Sequence, residues 1–134
     1  DPQTMQLNPE YGDVTAEVTA FLRERIQELE KNGIARNRLC IDPGFGFGKT
    51  LSHNLELLRN INEIQSTLNL PLLAGMSRKS MIGAITGRPV EERLAGSLAA
   101  ALVAVTHGAH ILRVHDVAET VDALKVWQAA TQKS

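Results

Sequence analysis

Ile41-Asp42-Pro43-Gly44-Phe45-Gly46-Phe47-Gly48-Lys49-Thr50 is the stretch on which the reading of this 134-residue chain turns. An apolar segment over 38–42 ends in a carboxylate, Asp42, and then breaks into glycines at alternate positions. Glycine leaves the backbone bare, so a ligand can approach it closely. Two phenylalanines in a polar loop could flank a flat ring. The stretch therefore reads as the C-terminal end of a short buried strand followed by a turn into a helix.

Several chemistries compete for this loop. Gly48-Lys49-Thr50 imitates the end of a P-loop, but that motif needs a glycine where Pro43 stands, and proline has no N–H to offer a phosphate. A dinucleotide fingerprint counted from Gly44 puts its third glycine on Lys49, and counted from Gly46 puts it on Leu51. A tight turn in which Asp42 bonds the loop backbone is the bland reading. The other is a ring site, in which a carboxylate accepts two parallel N–H bonds from an amino-pyrimidinone edge as it would from a guanidinium fork.

Outward from the loop, the pattern repeats. Residues 14–31 carry Val18, Phe21, Leu22, Ile26 and Leu29 at helical spacing, with Asn32-Gly33 as the stop. A helix is expected over 52–67, capped by Ser52, with Leu55, Leu58 and Ile61 on one face. A strand over 70–75 has Pro71 near its start, where a missing N–H is tolerable. A turn over 83–88 leads to a helix from Pro89, with Glu91 and Glu92 in its first turn and Gly108 at its end. A strand over 110–114 is followed by a helix to about Ala130, which Asp116 and Glu119 would open as a capping box. Residues 1–12 read as loop.

The expected fold is α/β: three parallel strands with four helices, strand ends falling about 35 residues apart, which suits helical crossovers. Three strands cannot close an eight-stranded barrel of about 250 residues, so 1–134 reads as one partial domain. Each strand ends in a chemically loaded cluster, and ligand sites of parallel α/β folds lie at that edge. After the second strand comes Gly75-Met76-Ser77-Arg78-Lys79-Ser80, whose adjacent cations suit an anion or a polarised carbonyl, or form a solvated basic turn. After the third comes Arg113-Val114-His115-Asp116; alternation puts Arg113 and His115 on one side, a plausible phosphate site, unless Arg113 pairs with a carboxylate and His115 is a satisfied buried histidine.

Composition narrows the classes. A net charge of −1 provides no field for nucleic acid or an anionic membrane. The single cysteine, Cys40, excludes an internal disulfide, fits a reducing compartment and is expected to be a buried, inert thiol. The chain opens without a signal-peptide pattern, and its most apolar run, 94–105, is too short to span a bilayer as a helix. A cytoplasmic location is expected.

DPGFGFGK, GMSRKS and RVHD, in this order and spacing, resemble the dihydropteroate synthase family of the enterobacterial type, over about residues 4–130. The resemblance implies the last three strands of a (β/α)8 TIM barrel, the C-terminal half of that enzyme. It implies a transferase of folate biosynthesis: the amine of p-aminobenzoate attacks the methylene of 6-hydroxymethyl-7,8-dihydropterin diphosphate, pyrophosphate leaves, and 7,8-dihydropteroate forms. By resemblance Asp42 holds the pterin's amino-pyrimidinone edge, Lys79 bonds its carbonyl and ring nitrogen, and Gly75 lies against it. Arg113 and His115 bind the departing phosphates, so Lys79, Arg113 and His115 are the expected catalytic groups. Gly46, Phe47, Arg78 and Ser80 shape the p-aminobenzoate site, which sulfonamides also enter in the family. The family's Mg²⁺ is held by an asparagine near the first strand, which this chain lacks along with early pterin contacts and two mobile loops. Asn54, Asn60 and Asn69 do not stand in that motif. The chain alone is therefore expected to be inactive. Two other readings stay open: a pterin site of another enzyme, such as the methyltetrahydrofolate-binding barrels, against which the Ser77-Arg78-Lys79-Ser80 run argues, and a non-catalytic module binding an anion or a subunit.

The segment over 94–105 is apolar almost all round, and such a helix must be covered. A homodimer through the late helices is expected, in keeping with the resemblance.

Overall fold

In the computed structural model the described residues are 12–46 and 48–132. The expected loop over 1–12 lies outside them except for Gly12.

Helix α1 spans Val14–Lys31. Asp13 caps it by accepting from the Ala16 N–H at 3.0 Å, satisfying one of the orphan donors of the first turn. Val14, Val18 and Ile26 are its buried line. A 3₁₀ turn over Arg36–Arg38 follows. Two helices, α2 over Leu51–Arg59 and α3 over Ile61–Leu68, stand where one was expected. Asn60 ends the first and starts the second with its backbone off helical values. Thr50 rather than Ser52 caps α2: its hydroxyl accepts from His53 N–H, and the His53 ring accepts from Thr50 N–H.

Strand β1 is Leu73–Ala74 and strand β2 is Ile111–Leu112. They pair in parallel, Leu73 with Ile111 and Ala74 with Leu112. Ile41 joins the other side of β1 through a single parallel bridge to Leu72: its N–H donates to Pro71 O at 2.8 Å and its O accepts from Leu73 N–H at 2.7 Å. Among the described residues there are thus two strands and six α-helices, which corrects the expected three and four. The strand over 38–42 contracts to one residue because the chain before it is wound into the 3₁₀ turn and Pro43 follows closely. Cys40 is exposed, not buried, since it lies off the inward side that Ile41 occupies.

Helix α4 spans Ser80–Thr86, where the sequence suggested mainly a turn. Gly87, at φ 73°, ends it in the left-handed conformation that lacks a penalty only for glycine. Val90–Glu92 is a 3₁₀ turn, so helix α5 begins at Leu94, not Pro89, and runs to Thr106. Helix α6 spans Val117–Thr131. Asp116 precedes it but makes no side-chain cap, because its carboxylate is engaged by Arg78.

The core is built from α1, α2, α3, the strands and the inner side of α5. Leu57, Ile61, Ile64 and Leu72 are fully buried, each worth about 1.5–3 kcal/mol relative to exposure. The buried line of α2 and α3 runs through Asn54, Leu57, Leu58, Ile61, Ile64 and Leu68, with Leu55 only partly covered. Helix α5 buries Ser97, Ala100, Ala101 and Ala104, while Leu94 and Val103 stay exposed. No described helix is long and apolar enough to cross a membrane.

Candidate functional site

The three parallel segments end side by side, at Asp42, Gly75 and Arg113. Asp42 Oδ1 accepts from Gly44 N–H at 2.9 Å, closing the turn after Ile41. Its other oxygen lies 3.5 Å from Arg113 Nη2, so the carboxylate and the guanidinium face each other across β1. Arg113 can reach because Gly75 lies between them: a Cβ there would sit 2.8 Å from Nη2 and 3.0 Å from Nε. Gly75 is needed for that close approach of the guanidinium to the backbone.

Lys79 completes the cluster. Its Nζ donates to Phe45 O at 2.7 Å, across from the turn after β1 to the 42–50 loop. Burial pushes its pKa down, Asp42 opposes that, and Arg113 adds to it. Lys49 Nζ donates to Gly44 O at 2.8 Å. Burial, with the nearby Lys79 charge, lowers its pKa from the ordinary 10.5 to about 8, against the pull of Asp42. The edge thus concentrates three cations around one carboxylate, a field suited to an anion that arrives with a polar ring.

Ser80 lies at the first position of α4 and, with Phe45, Gly46 and Lys79, lines a cleft of about 240 Å³. Phe45 itself is 1% exposed and belongs to the core, so it anchors the loop instead of flanking a ring as the sequence suggested. Phe47 lies outside the described residues.

Arg78 turns to the start of α6. Its guanidinium is bidentate to Asp116, at 2.8 and 3.3 Å, tying the turn after β1 to the start of α6. These bonds raise its pKa above the ordinary value. Its backbone is left-handed, φ 58°, a conformation that costs a non-glycine residue roughly 1–3 kcal/mol. Ser97 Oγ accepts its N–H at 2.9 Å and Arg93 Nη1 donates to its carbonyl at 2.9 Å, so α5 and the residue before it hold the turn. His115 meets Ser77: the ring Nδ1 is 2.8 Å from the hydroxyl, which also accepts the His115 N–H at 3.3 Å.

Asp42, Gly75, Lys79 and Arg113 are therefore brought together, Gly46 and Ser80 border the same cluster through the cleft, and His115 stands at the same edge on Ser77. Lys49 and the buried Asn54 were missed. A lysine and an asparagine closely following a glycine-rich loop were the available signal, and Asn54 shares the helical face of Leu57 and Leu58. Among the described residues no group of three or more His, Cys, Asp or Glu side chains could hold a metal ion. The magnesium ligand that the resemblance implies, an asparagine near the first strand, has no counterpart among the described residues.

Parallel strand–helix units with a carboxylate, two lysines and an arginine gathered at one edge suit a polar ring that carries an anion, and the chain belongs to the pterin binding enzyme family, whose model matches residues 1–115. Within it the chain is 56% identical over 128 residues to the dihydropteroate synthase of Haemophilus influenzae, covering 96% of this chain and 46% of that protein. It superimposes with a TM-score of 0.91 on the Xanthomonas albilineans dihydropteroate synthase with 4-aminobenzoic acid, at 54% identity over 94% of this chain and 46% of that one. The same enzyme in complex with 7,8-dihydropteroate also matches at a TM-score of 0.91 and 54% identity, with 94% of this chain and 48% of that one covered. The chain spans about half the length of the curated relatives it matches.

Proposed function

We propose that this chain forms the substrate-binding edge of a dihydropteroate synthase, a transferase that joins p-aminobenzoate to 6-hydroxymethyl-7,8-dihydropterin diphosphate. The observation that carries the reading is the convergence of Asp42, Lys79 and Arg113 on one sheet edge. The Xanthomonas albilineans relative bound to 4-aminobenzoic acid and to 7,8-dihydropteroate supports the choice of substrates.

In this reading the pterin's amino-pyrimidinone edge takes the Asp42 carboxylate from Arg113. Two parallel N–H bonds to a carboxylate are favoured over the single 3.5 Å pairing that they replace. Lys79 turns from the Phe45 carbonyl to the pterin's carbonyl and ring nitrogen, and Gly75 leaves room for the ring. Arg113, released from Asp42, and His115 bind the diphosphate. The p-aminobenzoate nitrogen attacks the pterin methylene, the bond from that carbon to the diphosphate oxygen breaks, and pyrophosphate carries away the electron pair. The amine then loses a proton to solvent. Preorganised cations stabilise the charge that builds on the leaving group. An aniline-type amine needs no base to become nucleophilic. Ser80, Gly46, Arg78 and Phe47 shape the p-aminobenzoate side, where a sulfonamide would compete.

In the same proposal magnesium is held by an asparagine near the first strand of the complete enzyme, outside this chain. A cytoplasmic homodimer is part of the same proposal: Leu94 and Val103 on α5 and Val121 and Val126 on α6 are exposed apolar side chains on the late helices.

The test is to join this chain to the portion of the Haemophilus influenzae enzyme that it does not cover. The joined protein is expected to form dihydropteroate and pyrophosphate, and the isolated chain to form neither. A folded joined protein without turnover, beside an active intact relative, would sink the reading.

A further inference from the structure

The 42–50 loop is held at two separate places. At Gly44, Asp42 accepts the N–H and Lys49 donates to the carbonyl. At Gly46, the N–H donates to Asn54 Oδ1 at 2.8 Å. Asn54 is 3% exposed, one of few buried polar side chains among the described residues. Its Nδ2 donates to Thr50 O at 3.1 Å, so both ends of the amide are used. It stands on α2, whose start is fixed by the reciprocal bonds of Thr50 and His53. A buried polar group bonded at both ends holds its neighbours in one arrangement, because a slip leaves a buried donor or acceptor unpaired.

What this fixes is specific. Gly46 is exposed and left-handed, φ 97°, and packs towards the Lys79 stem, a Cβ there being 3.6 Å from Lys79 Cδ. Phe45 O receives the Lys79 ammonium. Phe45, Gly46, Lys79 and Ser80 together are the walls of the small cleft. Asp42, Gly75 and Arg113 meet through contacts that do not involve Asn54, and the Gly44 tethers run to Asp42 and Lys49.

We propose that Asn54 is a positioning residue that sets Phe45 and Gly46, and with them the cleft taken by the amine substrate, independently of the pterin edge at Asp42 and Arg113. The substrate assignment rests on the synthase reading above; the clamp itself does not.

Two measurements separate the two claims. In this chain, amide hydrogen exchange is read at Gly46 and Gly44 in the wild type, in Asn54→Leu and in Asn54→Ala, the latter kept in case the former does not fold. Loss of the acceptor should speed exchange at Gly46 about tenfold, the scale of one net hydrogen bond, and leave Gly44 unchanged. In the joined enzyme the same variants should raise KM for p-aminobenzoate about tenfold and leave KM for the pterin diphosphate within about twofold. Asn54→Asp keeps an acceptor for Gly46 N–H but loses the donor to Thr50 O, so both readouts should recover in part relative to Asn54→Ala. Equal exchange gains at Gly44 and Gly46, equal rises in both KM values, or an aspartate indistinguishable from alanine would overturn the proposal. An unmutated joined protein that makes no product removes the substrate assignment, while the exchange contrast still decides the clamp.

Discussion

Asp42 and Arg113 face each other at 3.5 Å across the strand that lies between them, with their side chains 39% and 58% exposed. A pair that open to solvent contributes at most about 1 kcal/mol to folding, so its worth lies in holding two opposite charges where a ligand can exchange for each. Asp42→Asn in the joined enzyme is therefore expected to leave the melting temperature nearly unchanged. Binding of the pterin diphosphate should weaken roughly 10–100-fold, the scale of lost charge-assisted hydrogen bonds. Titration calorimetry beside a thermal melt checks both halves; a large loss of stability with intact affinity would reverse the assignment.

Gly75→Ala places a methyl group within 3.1 Å of three guanidinium atoms of Arg113. The obstructed group is the far end of an exposed, flexible side chain, so the protein should fold with a loss under about 1 kcal/mol. The guanidinium must swing off the Asp42 edge, and turnover should fall on the order of tenfold. A double-mutant cycle with Arg113→Ala isolates the cause: in that background the alanine should cost little more.

Gly96→Ala carries the opposite lesson. Alanine is the better helix former by about 1 kcal/mol, yet its methyl would meet Ile82 Cγ2 at 2.5 Å and Thr86 Cγ2 at 3.3 Å between α5 and α4. Overpacking of this kind costs about 1–3 kcal/mol, so the variant should melt below wild type, and in an Ile82→Ala background the same change should cost little. A stabilised Gly96→Ala chain would mean that the two helices can part without penalty.

Lys49 links stability to pH. Its folded pKa of about 8 lies below the ordinary 10.5. Between those values the unfolded chain holds a proton that the folded chain has released, so stability from this group rises as pH climbs from about 8 towards 10.5. Below pH 8 the folded state carries the cost of a partly buried ammonium beside Lys79. Lys49→Met should remove this component: denaturant melts at pH 7 and at pH 10 should show a smaller alkaline gain than in the wild type. An unchanged gain would place the titration elsewhere.

The strand-end residues were legible because local rules determine them. Ile41-Asp42-Pro43, Gly75 and Arg113 each follow an apolar run and precede a turn, and parallel α/β order carries such ends to one edge. The element count was less legible. Asn60 breaks a helix whose apolar spacing continues through the break, and 80–86 holds a seven-residue helix that Gly83 and the polar flanks disguised as a turn. Cys40 read as buried because periodicity assigns a face to a strand, while the 3₁₀ turn before it and the single bridge at Ile41 leave little strand to have a face.

By itself the sequence determined which residues carry charge, which can bend the chain, and which family's pattern they follow, since these depend on residue type and spacing along one segment. Tertiary structure alone decided the partners: Arg113 for Asp42, Asp116 for Arg78 and Gly46 for Asn54. Such choices depend on distances across elements that meet only when the core closes, and on which polar group burial would otherwise leave unpaired.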